Sequence, residues 1–197
     1  MDPAASLLEI RVYRAGPLAS LGHNHVIAAH DLEGVVHVNA QLLASTCELS
    51  FASAALTVDE PQLRERAGPE FAAPVPQAAR AGTRQNMLSE AVLAATQFPQ
   101  VALHCLELVA TPVKGQLRAD LQASIRGARH VISLPLRYEL TDKRLTVEGE
   151  TALKQTALGI TPFSVMLGAL QVQDQLEIHI HLVALCGAPN SASSPCA

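Results

Sequence analysis

The sequence has no tryptophan, and aromatic residues of all kinds fill 3% of its 197 positions although 49% of the chain is apolar. Whatever this chain buries is therefore lined by aliphatic side chains. Such a lining suits a close-packed core and equally suits a hollow that takes up hydrocarbon without ring stacking. Charge is scarce as well, at 16% of residues, with fourteen Lys and Arg against eighteen Asp and Glu for a net charge of −4. That balance argues against the cationic surface that nucleic acid or an anionic membrane face requires. The length suits a single domain over residues 1–186, followed by a flexible Ser/Pro/Ala tail over 187–197.

Catalytic and metal signatures are missing too. Cys47, Cys105, Cys186 and Cys196 form no C-x-x-C pair, which excludes a zinc knuckle or a thioredoxin-type motif. Cys105, within an apolar run, reads as a small buried hydrophobe, Cys196 in the tail reads as exposed, and all four read as inert. There is no G-x-S-x-G, no H-E-x-x-H and no P-loop. The adjacent pairs His104-Cys105 and His30-Asp31 would project to opposite faces of a strand, which separates nucleophile from base. A binding protein is expected, not an enzyme. The opening Met-Asp-Pro-Ala-Ala reaches Glu9 and Arg11 before any leader-length apolar core, so the chain reads as cytosolic or as already trimmed. The longest uncharged stretch, Gln155 to Gln173, is broken by Gly159, Pro162 and Gly168 and does not qualify as a membrane span.

What the chain does have is period-two alternation. Eight runs show it or read as extended: Glu9 to Tyr13, His25 to Val38 with a break near Ala29 to Gly34, Ala44 to Val58, Val101 to Thr111, Gly115 to Ile125, His130 to Leu140, Arg144 to Lys154 and Leu176 to Leu185. Gly115, Gly127, Asp142-Lys143 and Gln173-Asp174 mark turns. Four prolines between Pro61 and Pro76 predict a surface loop, and Met87, Leu88, Val92 and Leu93 predict one short helix over Thr83 to Thr96. An all-β, eight-stranded antiparallel barrel with that helix is the expected fold, since closure removes exposed sheet edges.

Several segments together resemble the YceI-like family of lipocalin-like barrels. They are Asn86-Met87-Leu88 through Phe98-Pro99-Gln100-Val101, then Leu121 to Gly127 with Val131 to Leu136, and Leu153 to Ile160 with Val172 to Leu176 and Ile178. The resemblance implies a lipocalin-like barrel that binds a polyisoprenoid or polyprenyl quinone for carriage, storage or sequestration. It implies export to the periplasm, no cofactor beyond the bound lipid, and leaves a homodimer open. Two departures concern the ligand: Ser20 to Val26 carries two histidines where many relatives show one, and Leu158 stands where others carry an aromatic residue.

The expected cavity wall is Leu103, Leu121, Ala123, Ile125, Ile132, Leu134 and Leu136, one face of each strand, with Met87 and Leu93 on the covering helix. Burying about twenty methylene equivalents there would gain on the order of 16 kcal/mol before ordering costs. His23, Asn24 and His25, with Arg84, are the expected polar contacts near a head group. The alternative is a metal- or haem-binding protein, because His23 and His25 would share a strand face and could present two imidazoles. His179 and His181 alternate with Ile178, Ile180 and Leu182, so an inward aliphatic face would turn them outward.

Overall fold

The computed structural model describes residues 1–186 and the backbone of Ser193–Cys196. The other tail positions, and the Cys196 side chain, lie outside the described residues. Alternation of buried and exposed side chains drives the fold, and the chain is mostly strand. The strands are β1 (Leu7–Ala15), β2 (His25–Ala29), β3 (Glu33–Asn39), β4 (Thr46–Ala52), β5 (Thr57–Val58) and β6 (Gln100–Ala110). They continue as β7 (Gln116–Ile125), β8 (Ala128–Leu140), β9 (Arg144–Lys154), β10 (Ser164–Val165), β11 (Leu170–Leu185) and β12 (Ser193–Cys196). All belong to one sheet, ordered β12-β3-β4-β6-β7-β8-β9-β11-β1-β2-β5, with β10 on β11. Every pairing is antiparallel.

Setting aside the two-residue strands β5 and β10, the described residues form ten strands, not eight, in a strongly curled half-barrel. The eight alternating runs are all present. The count rises because the run from His25 onward is two strands, β2 bonded to β1 and β3 bonded to β4, and because β12 adds to the edge of β3. Only His30, Asp31 and Leu32 separate β2 from β3, so the chain crosses from the β1–β2 side of the sheet to the β3–β4 side within about 15 Å. Gly34 fixes the approach: at φ +150 a Cβ on it would lie 2.1 Å from the Glu48 carbonyl oxygen, so only glycine lets β3 pass so close to β4.

Three local expectations are corrected. The Pro61 to Pro76 stretch contains helix α1 (Pro61–Ala67), because a proline at the first helical position gives up no hydrogen bond. The second helix, α2, is Gln77–Leu88, so Thr83 lies within it instead of beginning it, and Val92 and Leu93 follow it in turns. Gln173-Asp174 is not a turn but part of β11, at an irregularity where Val12 pairs Leu176 and Arg14 pairs Val172. The extra residues on β11 form a bulge, whose turn-like composition is the signal seen in the sequence.

The cysteines are also corrected. Cys47 on β4 and Cys105 on β6 are joined in a disulfide with a Cα–Cα distance of 5.1 Å, and Cys186 is disulfide-bonded too. Glu48 pairs His104 across these strands, which sets Cys47 opposite Cys105. No described helix is long and apolar enough to cross a membrane.

Candidate ligand cavity and its histidine mouth

The inward faces of the strands do not meet in the middle. They bound a cavity of about 470 Å³, within the roughly 300–1,000 Å³ of small-molecule sites. Its wall follows β11 from Leu170 to Leu182, roughly 40 Å of strand. Leu103, Leu121, Ala123, Ile125, Ile132, Leu134 and Leu136 all line it, as do Met87 and Leu93. Leu8, Ile10, Val12, Leu176, Ile178 and Ile180 complete the facing wall from β1 and β11. The disulfide forms part of the lining, and Leu158 is buried against it. No Asp, Glu or Lys side chain is on the wall. A cavity without fixed charge on its long walls favours hydrocarbon over anything needing solvation.

While Ser45, Thr46 and Tyr138 line the wall elsewhere, its cationic and imidazole side chains collect at one end. Arg14, His23, His25, Thr83 and Asn86 line the cavity there, with Gln155 and Gln171 nearby on the wall. His23 precedes β2 and His25 opens it, and both line the cavity with ring centroids 6.1 Å apart. His25 Nδ1 lies 2.6 Å from Asp59 Oδ2, and its Nε2 lies 3.1 Å from Thr83 Oγ1 on α2. The carboxylate accepts the Nδ1 proton, so in neutral imidazole Nε2 accepts from the Thr83 hydroxyl. Burial pulls the His23 pKa below its ordinary value, helped by the neighbouring His25 and Arg64 charges. His23 therefore enters the cavity uncharged at neutral pH.

Asp59 is the anchor of this end. Its side chain is fully buried and accepts from the Val26 N–H at 2.9 Å and from Arg64 Nη1 at 2.6 Å. Burial pushes its carboxyl up, but the bonds from His25, Val26 and Arg64 more than offset that and hold it below the usual value. Arg64 also donates to the Asn24, Phe71 and Ala73 carbonyls. Neither Asp59 nor Arg64 was anticipated from the sequence. Glu60-Pro61 marked a helix start, and Arg64 falls one turn into it.

Two expected head-group residues are elsewhere. Asn24 does not line the cavity: its side chain accepts from the Arg14 N–H at 3.1 Å and donates to the Glu70 carbonyl at 3.1 Å, which ties β1 to the loop after α1. Arg84 points away and donates to the Ala54 and Leu56 carbonyls. Both side chains are spent on backbone groups instead of a ligand. His179 and His181 are on the outer face, each with Nδ1 3.2 Å from a glutamate of β9, Glu150 and Glu148 respectively. Among the described residues no group of three or more His, Cys, Asp and Glu is placed to hold a metal ion.

A strongly curled antiparallel sheet around an aliphatic hollow, with a histidine-bearing end and a short covering helix, defines a half-barrel class of fold. Within it, the architecture is that of YceI proteins. BcnA of Burkholderia cenocepacia superposes with a TM-score of 0.69 at 13% identity, covering 93% of this chain and 98% of that one. A polyisoprenoid-binding domain from Saccharophagus degradans, implicated in plant cell wall breakdown, gives 0.60 at 10% identity over 92% and 94% of the two chains. The Campylobacter jejuni YceI protein gives 0.54 at 10% identity over 80% and 82%. No family model and no curated protein sequence matches the chain.

Proposed function

We propose that this protein binds an amphiphile with a long apolar tail, a polyprenyl quinone or related isoprenoid, and carries or sequesters it without transforming it. The tail fills the hollow, and the head group meets Arg14, His23, His25, Thr83 and Asn86. The observation that carries this reading is the cavity of about 470 Å³ whose wall holds no Asp, Glu or Lys. The likeness to a polyisoprenoid-binding domain supports it. The Cys47–Cys105 disulfide is compatible with an oxidising compartment, which supports a site of action outside the cytoplasm. The histidine pair serves as the polar mouth in preference to a metal site, because both ring nitrogens of His25 already have partners.

Displacement of a fluorescent fatty-acid probe by prenyl alcohols of increasing length tests this. Saturable one-site displacement that strengthens with chain length is expected, and Ile178→Trp, which fills the mid-cavity from β11, weakens it at least about tenfold. A folded protein that binds neither probe nor prenyl chain would overturn the reading.

A further inference from the structure

The polar end of the cavity has a rim of a different character. Two segments build it, residues 16–22 and 155–173, and neither contains a charged side chain. They are held together closely. The Leu18 N–H donates to the Ala169 carbonyl at 2.8 Å, and Gly16, at φ +92, approaches so near that a Cβ there would lie 2.6 Å from the same oxygen. From this paired base, apolar side chains project into solvent: Leu21 is 67% exposed, Met166 64% and Leu167 109%.

The backbone holds them out. Met166, Leu167 and Gly168 have successive φ values of 53, 56 and 90, and consecutive left-handed non-glycine residues persist only where the surroundings dictate them. Phe163 and Leu170, on either side of this turn, line the cavity, so the projecting side chains continue the apolar wall outward. The opposite end differs: its exposed Val113 and Leu140 sit beside Lys114 and the Asp142-Lys143 turn. The polar end also carries Glu90 and Arg126, on the side of the segment following α2, where Arg126 donates to the Glu90, Ala91 and Gly159 carbonyls.

We propose that this rim docks on a lipid bilayer, with Leu21, Met166 and Leu167 entering its acyl layer. The proposal rests on the lipid-binding reading above. A long-chain amphiphile resides in bilayers, and a charge-free apolar rim at the cavity end lets its tail move between the two without crossing water. Leu21, Met166 and Leu167 bring no ionic group that must shed water as they enter. The charged side chains that bond to the two segments, Arg14, Asp174 and Arg126, do so at Gly22, Thr156 and Gly159 and not at the entering residues. With a net charge of −4 the chain gains nothing from anionic lipid, so neutral bilayers are the surface it fits.

Flotation of the full chain with phosphatidylcholine vesicles tests this, comparing wild type, Met166→Ser/Leu167→Ser, and the opposite-end control Val113→Ser/Leu140→Ser. The rim variant should lose vesicle-bound protein at least about tenfold while the control keeps it. Transfer of a fluorescent prenyl probe from vesicles should slow by a similar factor, with binding of a water-soluble short-chain probe unchanged in all three. Wild type that does not float, or a rim variant that floats equally well, would overturn the docking. So would sedimentation showing a wild-type dimer that the rim variant disperses, without flotation. Failure of the short-chain probe to bind wild type would remove the cavity reading and the docking with it, whereas failed flotation with intact short-chain binding removes the docking alone.

Discussion

The two histidine pairs have the same spacing and opposite surroundings. His23 and His25 face the cavity, and the carboxylate behind His25 is fully buried and held by Arg64. His179 and His181 face outward onto Glu150 and Glu148, whose side chains are 78% and 58% exposed. His179 and His181 share a face by alternation within β11, whereas His23 reaches the face of His25 from the segment before β2. What an imidazole–carboxylate contact is worth depends on whether water can replace the partner. The alternation repeats beside them: Cys105 turns inward to the disulfide, while its neighbour His104 turns outward, 3.6 Å from Glu48.

The largest expected break of this contrast is Asp59→Ala. It strips His25, Arg64 and the Val26 N–H of one buried acceptor at once, and should cost about 3–5 kcal/mol in denaturant unfolding. The Asp59 carboxyl is held below its ordinary value in the fold. Its stabilisation is therefore complete above about pH 4 and is lost as pH falls through the native pKa. Wild type should accordingly lose stability in acid more steeply than Asp59→Ala. Next is the inward disulfide, which closes a separation of 58 residues. Cys47→Ala/Cys105→Ala should cost about 2–4 kcal/mol, read in the same unfolding experiment.

His25→Ala removes one imidazole and leaves Asp59 with its Arg64 and Val26 partners. A loss of about 1–3 kcal/mol is expected, together with weaker binding of a head-group-bearing probe. The smallest effect is outside: His181→Ala should change stability by less than about 0.5 kcal/mol. Proton NMR sharpens the contrast further. The His23 ring should titrate below its ordinary value of about 6.5, because burial and its cationic neighbours disfavour the imidazolium.

Much of the wall was legible because period two is a local property. Leu121 and Ala123 on β7, and Ile132, Leu134 and Leu136 on β8, face inward as alternation requires. On β6 the same rule is interrupted: the register shifts between Cys105 and Glu107, so that Leu108 faces the cavity and Leu106 is exposed. Contacts between distant segments were not legible. The disulfide needs β4 beside β6, strands separated by both helices, and no spacing within either strand reports that neighbour. Asp59 and Arg64 were hidden by the prolines around them, which obscured a helix start that Pro61 itself marks. Asn24 and Arg84 have head-group chemistry, yet backbone carbonyls and an amide claim them first. Residue type shows what a side chain can bond, and only the fold shows which partner reaches it.

The hollow itself is the central claim, and organic extraction of gently purified protein followed by mass spectrometry tests it most directly. The account predicts a long-chain amphiphile in near-stoichiometric amount, released from wild type and depleted in Ile178→Trp. A folded wild type that yields no such molecule, and takes none up when prenyl lipids are supplied, would contradict it.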